Sequence, residues 1–455
     1  MSSVVAETVA ESVTTKECVF GQLADALASA HATINHYTLT ISGEDSQFTR
    51  FNRARVRQTG QVSDGNLTLT LMQADRTASA SVPFVGDFET DWPLLKTALD
   101  DLQAMVPQLP VDPFLVLPTG SASSRTVNQG ELLAADAIAS ILLDPVQSLD
   151  FTGIYAGGLI FRGYADSAGQ HHWFESTSYS LDFSLFDPQN RAVKGTFAGS
   201  QWQQAQFIDK INQAKQQLTM MSRPAKTIER GQYRTYLAPA AVAELLHMFS
   251  WGGVGEADLQ QGNSAFCLLR QGDRQLSPKF NLRENFHQAN TPRFNTYGEV
   301  APLQLPIIEQ GQLVNSLVSS RSAKEYQTPS NYASRGEHLR APEILPGKLA
   351  ADKILSSLDR GLYLSNLHYL NWSDHPNARV TGMTRYACFW VEHGEIVAPI
   401  ENLRFDESLY QCFGDGLIDL TDFQETISSI DTYDQRSLGD SRVPGVLADD
   451  FTYTL

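Results

Sequence analysis

With 51 acidic against 34 basic side chains in 455 residues, the chain carries a net charge of −17. That balance excludes the basic stripe a nucleic-acid surface needs to displace counterions, and it sets the chain against anionic membranes. No run approaches the roughly 18 apolar residues of a membrane span. The length suggests about two or three domains.

The first fifteen residues have no basic start, and Glu7 and Glu11 break any apolar core there, so residues 1–16 are expected to be a disordered lead rather than a signal peptide. Residues 17–106 read as an N-terminal α+β domain. Val19, Phe20, Leu23, Ala24 and Leu27 recur at helical spacing. Tyr37, Leu39 and Ile41 alternate as a half-buried strand does. Asp64-Gly65 signals a hairpin before the alternating Leu67, Leu69 and Leu71. Leu94, Leu95, Ala98, Leu99, Leu102, Met105 and Val106 give an amphipathic helix. Pro107, Pro110, Pro113 and Pro118 make 107–118 the expected linker.

Residues 119–225 form a central helix and β-rich region. A helix is expected between Glu131 and Leu143, then strands from Phe151 to Phe186 with turns at Gly157-Gly158 and Ser167-Ala168-Gly169. His171 and His172 are neighbours on a strand, point to opposite faces, and so do not share a metal. Ile208, Ile211, Ala214 and Leu218 close the region as a helix. Residues 226–455 are read as a strand-rich C-terminal domain. Pro239 starts a helix there, and Glu309-Gln310-Gly311 and Glu392-His393-Gly394 each sit at a hairpin between apolar strands. Asp415, Asp419 and Asp422 are expected on the solvated face of a helix. The fold class is therefore α+β: an N-terminal α/β region with a mixed sheet and flanking helices, then the strand-rich domain. Cys18, Cys267, Cys388 and Cys412 are scattered without a C-x-x-C pair and read as reduced thiols of a cytoplasmic protein.

One helix carries an altered chemical motif. Leu245-Leu246-His247-Met248-Phe249-Ser250-Trp251-Gly252 has the outline of H-E-x-x-x-H, in which two His bind one metal and the Glu takes a proton from the metal-bound water. Only His247 stands. Met248 takes the place of the base and Gly252 that of the second ligand, and neither a thioether nor a bare backbone can do that work.

Several segments, in order, resemble the TldD/PmbA family, also called the modulator-of-gyrase family. They are Phe51-Asn52-Arg53-Ala54-Arg55-Val56; the turn Ala165-Asp166-Ser167-Ala168-Gly169; Ala301-Pro302-Leu303 before the hairpin at Gly311; Thr381 to Ile396, with Phe389-Trp390-Val391-Glu392-His393-Gly394-Glu395-Ile396; and Val443 to Thr452. The resemblance implies a two-subunit peptidase. One subunit, TldD-like, carries H-E-x-x-x-H and a late Cys ligand, while the PmbA (TldE-like) subunit carries neither. This chain matches the metal-free type, for no Cys follows Cys412 and the corresponding stretch reads Asp431-Thr432-Tyr433-Asp434-Gln435-Arg436.

The resemblance thus implies a metallopeptidase-family subunit with no catalytic residue and no metal of its own, and His247, Met248 and Gly252 are vestigial positions. The metal, zinc by expectation, belongs to a TldD-like partner, and the substrate is a peptide. By position in the family, Asn331, Arg335 and Arg340 are candidate cleft residues. A self-assembling peptide-binding or scaffold protein, for instance a homodimer, fits the same residues, and a partner chain with H-E-x-x-x-H separates the two readings. A nucleophile–base pair of His247 with Cys388 or Cys412 is a third reading, without support from spacing.

Overall fold

The computed structural model describes residues 2–30, 36–287 and 289–454, with side chains from residue 15 onward. Helix α1 (Ser2–Ala30) buries Val19, Phe20, Leu23, Ala24 and Leu27 as the spacing requires. Helix α1 begins at Ser2, within the stretch expected to be a disordered lead. No Pro or Gly occurs before Gly21, and Ala6, Glu7, Ala10 and Glu11 are good helix formers.

Strands β1 (His36–Asn52) and β2 (Arg55–Gln73) make a long antiparallel ribbon. Its turn is at Arg53-Ala54, both with φ of 51°, not at Asp64-Gly65. Those two residues lie inside β2, opposite Glu44 and Gly43. Gly65 makes room for packing rather than for a turn, since a Cβ there would stand 3.0 Å from Phe84. Strand β3 (Arg76–Pro83) returns along β2, and helix α2 (Phe88–Met105), capped by the Asp87 side chain, buries Leu95, Leu99 and Leu102. Then come β4 (Ser123–Asn128), α3 (Ile138–Leu143), β5 (Asp150–Asp166), β6 (His171–Phe186), β7 (Ala192–Gly199) and α4 (Gln204–Met221). Helix α3 covers only the end of the stretch expected to be helical from Glu131.

These strands form one sheet in the order β3-β2-β1-β5-β6-β4, with β7 also on β6. Because β1 pairs with β5 from Thr38↔Asp166 to Phe51↔Gly153, the sheet is continuous across the proline-rich stretch, and 107–118 does not divide two domains. That stretch is instead tied to the C-terminal region, where Arg321 pairs with Asp112 at 2.6 Å and Lys324 donates to the Leu115 carbonyl. The pair Gly157-Gly158 is not a turn either. It lies in mid-strand, where a Cβ on Gly158 would meet the Asp45 carbonyl at 2.1 Å.

The C-terminal region contains β8 (Gly231–Leu237), α5 (Pro239–Ser250), α6 (Glu256–Gln261), α7 (Cys267–Gln271), β9 (Leu282–Asn285), β10 (Gln304–Glu309), β11 (Gln312–Leu313) and α8 (Ser320–Tyr326). It continues through β12 (Pro342–Ile344), α9 (Ile354–Leu358), β13 (Gly361–Asp374), β14 (Arg379–Glu392), β15 (Glu395–Pro399) and β16 (Arg404–Ser408). It ends with β17 (Leu417–Leu420), β18 (Glu425–Ser428), β19 (Asp440–Val443) and β20 (Val446–Tyr453). One sheet runs β11-β10-β9-β12-β19-β18. The other runs β13-β8-β20-β16-β14-β15, and the pairing of β13 with β14 closes its first five strands into a ring. Between them lies a core that includes Leu245, Phe249, Phe266, Phe280, Phe405 and Phe413.

The turns at Gln310-Gly311 and His393-Gly394 are hairpins with positive φ at both residues, though in different sheets. Of the acidic stretch only Asp415 is helical, at the end of the short turn Gln411–Asp415, and Asp419 and Asp422 do not continue it. Leu417 to Leu420 form β17 and Glu425 to Ser428 form β18, because strand pairing with β20 and β19 overrides the helical spacing of the aspartates. The mixed architecture of helices and sheets agrees with the α+β class.

Candidate functional site

Helix α5 opens with Pro239 at its first turn and turns Leu245, Leu246, Met248 and Phe249 into the core. His247 faces solvent. Met248 is 1% exposed, so the position of the base is filled by core packing. The helix ends at Ser250, with the Trp251 N–H reaching the His247 carbonyl at 3.1 Å. Gly252 lies past that end with φ of 75°, and a Cβ there would stand 2.9 Å from His375 Nε2. The loop is pinned by Trp372, whose indole Nε1–H donates to the Trp251 carbonyl at 2.8 Å. Positions 247, 248 and 252 therefore go to solvent, to the core and to a turn, and do not converge. Among the described residues no group of three or more His, Cys, Asp or Glu is placed to hold a metal ion. The donors at this helix do not fit one.

The other residues singled out from sequence have structural surroundings. Asn331 accepts from the Val318 N–H at 2.9 Å and donates to the Ser316 carbonyl at 2.7 Å. The Arg340 guanidinium lies 5.0 Å from the Phe286 ring and donates to the Arg293 and Phe294 carbonyls at 3.3 Å each. Burial holds it below the usual arginine range, against the charge of Glu284. Asn331 and Arg340 share the wall of a cavity of about 10 Å³, room for no more than one water. Arg335 is exposed and apart from it.

His172 is buried, bonded to Ser124 Oγ through Nδ1 at 2.8 Å and stacked on Phe294, and burial lowers its pKa. His171 lies on the opposite face beside Phe20, as alternation requires. The Cys388 and Cys412 thiols are buried, and burial pushes Cys388 up to about 11 and Cys412 well above the usual value. Neither is a nucleophile at neutral pH.

A larger feature lies elsewhere. The first sheet has one apolar face, where Leu39, Ile41, Phe161 and Trp173 meet α1 and α2. Its other face is polar in part. By register, Ser42, Glu44 and Ser46 on β1 stand beside Arg162, Ile160 and Gly158 on β5, and Ser176 and Ser178 follow on β6. The strap 429–439, leading into β19, crosses this face and drives Arg436 into it. The Arg436 N–H donates to Glu44 Oε1 at 3.0 Å. Its guanidinium reaches the Gly158 carbonyl at 3.3 Å, the Ser178 carbonyl at 3.0 Å and Ser178 Oγ at 3.1 Å. Burial pushes this arginine down to about 10, with Glu44 acting against the shift.

Between the polar face and the strap lies a cleft of about 690 Å³ bordered by Asp64, Arg162, Pro292, Tyr433 and Asp434. Sequence reading missed it. The alternation of Ser42, Glu44 and Ser46 against Ile41, Gly43 and Asp45 marks a polar strand face, but what covers that face comes from some 390 residues further along the chain.

The fold is that of a group of solved structures. TldE from Thermococcus kodakarensis superposes with a TM-score of 0.75 at 12% identity, over 95% of this chain and 99% of that one. A candidate modulator of a DNA gyrase from Thermotoga maritima gives 0.73 at 13%, over 96% and 100%. Another from Bacteroides thetaiotaomicron gives 0.75 at 15%, over 95% and 99%. At such identities the likeness is one of fold. Residues 230–454 match the PmbA/TldA metallopeptidase C-terminal domain, and no curated protein matches the chain in sequence. The chain belongs to the TldD/PmbA family, a metallopeptidase-related family.

Proposed function

We propose that this chain is the metal-free, non-catalytic subunit of a heteromeric metallopeptidase of the TldD/PmbA type, acting in the cytoplasm on peptides or unfolded segments. The observation that carries this reading is the dispersal of the motif at α5. His247 is solvated, Met248 is core and Gly252 is a left-handed turn residue beyond the helix. A hydrolytic site of this kind needs three protein ligands and a base around one metal, so the chemistry is assigned to a TldD-like partner that carries H-E-x-x-x-H and zinc. This chain would shape the chamber and help to hold the substrate in extended form. No described helix is long and apolar enough to cross a membrane.

An affinity pull-down of the tagged chain from its native host, read by mass spectrometry, tests the assignment. A near-stoichiometric partner with H-E-x-x-x-H is expected. Recovery of this chain alone, as a self-assembled species, would replace the reading with a peptide-binding or scaffold protein.

A further inference from the structure

Arg162 is the charged group in the cleft that the fold leaves partly unused. Its Nη1 donates to the Gly43 carbonyl at 3.2 Å and the Phe161 carbonyl at 2.8 Å. Among the described residues, Nε and Nη2 have no hydrogen-bond partner, yet they are not sealed from solvent, and Arg162 borders the cleft. Glu44, the nearest anionic influence on it, makes no ion pair with it and is bonded to the strap through the Arg436 N–H. A guanidinium with an open edge, recessed in a polar cavity of ligand size, is suited to bidentate capture of a planar anion.

The rest of the wall limits which anion fits. Two arginines, Arg162 and Arg436, face two aspartates, Asp64 and Asp434. Arg436 is already committed to the sheet, and Asp64 accepts from Gln435 at 3.3 Å. Asp434 is exposed and makes no ion pair among the described residues. A dianionic phosphate would meet repulsion from both aspartates, whereas a monoanion that also carries a cation would meet complementary charge at each end. We infer that this cleft is a carboxylate-binding site for a zwitterionic, peptidic ligand, with the carboxylate on Arg162 and the cationic end toward Asp434. The carboxylate site stands on its own geometry; that its ligand is peptidic rests on the proposed subunit role.

The test is calorimetric titration of the full chain with tetraalanine, with tetraalanine amide and with N-acetyl-tetraalanine. Saturable binding of free tetraalanine is expected, weakened roughly tenfold or more by amidation or by Arg162→Gln. Asp434→Asn lies on the exposed strap and leaves the sheet intact. It should weaken tetraalanine and leave the acetylated peptide unchanged. Inorganic phosphate should compete less well than acetate. Absence of binding, equal binding of the amide, indifference to Arg162→Gln in a variant that keeps the parent circular dichroism, or stronger competition by phosphate would each overturn the assignment. The pull-down for a partner subunit reads an independent property, so either result can fail without the other.

Discussion

The end of α5 and the strap 429–439 are the two places where the family's metal chemistry would be sought, and this chain has treated them in opposite ways. At α5 the motif positions dissolve into ordinary folding roles: a solvated imidazole, a buried thioether and a turn glycine. At the strap a buried hydrogen-bonded contact takes hold instead, with the Arg436 N–H on Glu44 of β1 and its guanidinium on carbonyls of β5 and β6. The helix end is expendable at its surface and intolerant in its core. The strap depends on a single charged side chain.

Arg436→Ala is expected to have the largest effect. It takes the guanidinium donors away from the Gly158 and Ser178 carbonyls, and each buried acceptor left unsatisfied costs about 1–3 kcal/mol, measurable by chemical denaturation. Glu44→Gln should cost less, since an amide oxygen can still accept from the Arg436 N–H, and an equal loss would mean that the carboxylate rather than the guanidinium holds the strap. The double substitution Met248→Glu with Gly252→His rebuilds the letters of the motif. Loss of core packing at 248 alone is expected to cost about 2–5 kcal/mol, and a side chain at 252 collides with His375. The variant should therefore take up no zinc in equilibrium dialysis, and stoichiometric tight uptake would break the comparison.

Acid should loosen the strap from its other end. Glu343 accepts from Arg283 at 2.6 Å and faces Arg442 of β19 at 3.3 Å. Burial raises its pKa, but the bonds from Arg283 and Asn285 and the charge of Arg442 outweigh it, and the net shift is downward. A carboxyl held lower in the folded state stabilises the fold above its ordinary range and loses that contribution as pH falls through it. Glu343→Gln should flatten the acid side of the stability profile, and an unchanged slope would remove Glu343 from this role. The smallest effect is expected from His247→Ala, within about 0.5 kcal/mol of the parent in denaturant, since the side chain is exposed.

Much of the fold was legible where a single element decides it. The helical spacing of Val19 to Leu27 and of Leu95 to Leu102, and the glycine turns at Gly311 and Gly394, are local signals that tertiary structure kept. Asp64-Gly65 and Gly157-Gly158 misled because glycine serves close approach as well as turns, and at both places a neighbouring strand or ring occupies the space. The true turn at Arg53-Ala54 has neither glycine nor asparagine, so long-range pairing of β1 with β2 and β5 sets it. The proline-rich stretch suggested a boundary, but hydrogen bonds across the sheet, not chain stiffness, define the unit. At the site, the loss of the motif was readable from Met248 and Gly252. The cleft was not, because Arg162, Glu44 and Arg436 meet only when β1, β5 and the strap come together.

The most direct measurement is peptide hydrolysis, with matched zinc analysis, on three samples: this chain purified alone, its co-purifying partner alone, and the complex. Hydrolysis of an unfolded peptide by the complex, with zinc only in the partner and no activity in this chain alone, is the predicted result. Zinc-dependent cleavage by this chain in isolation would contradict the account.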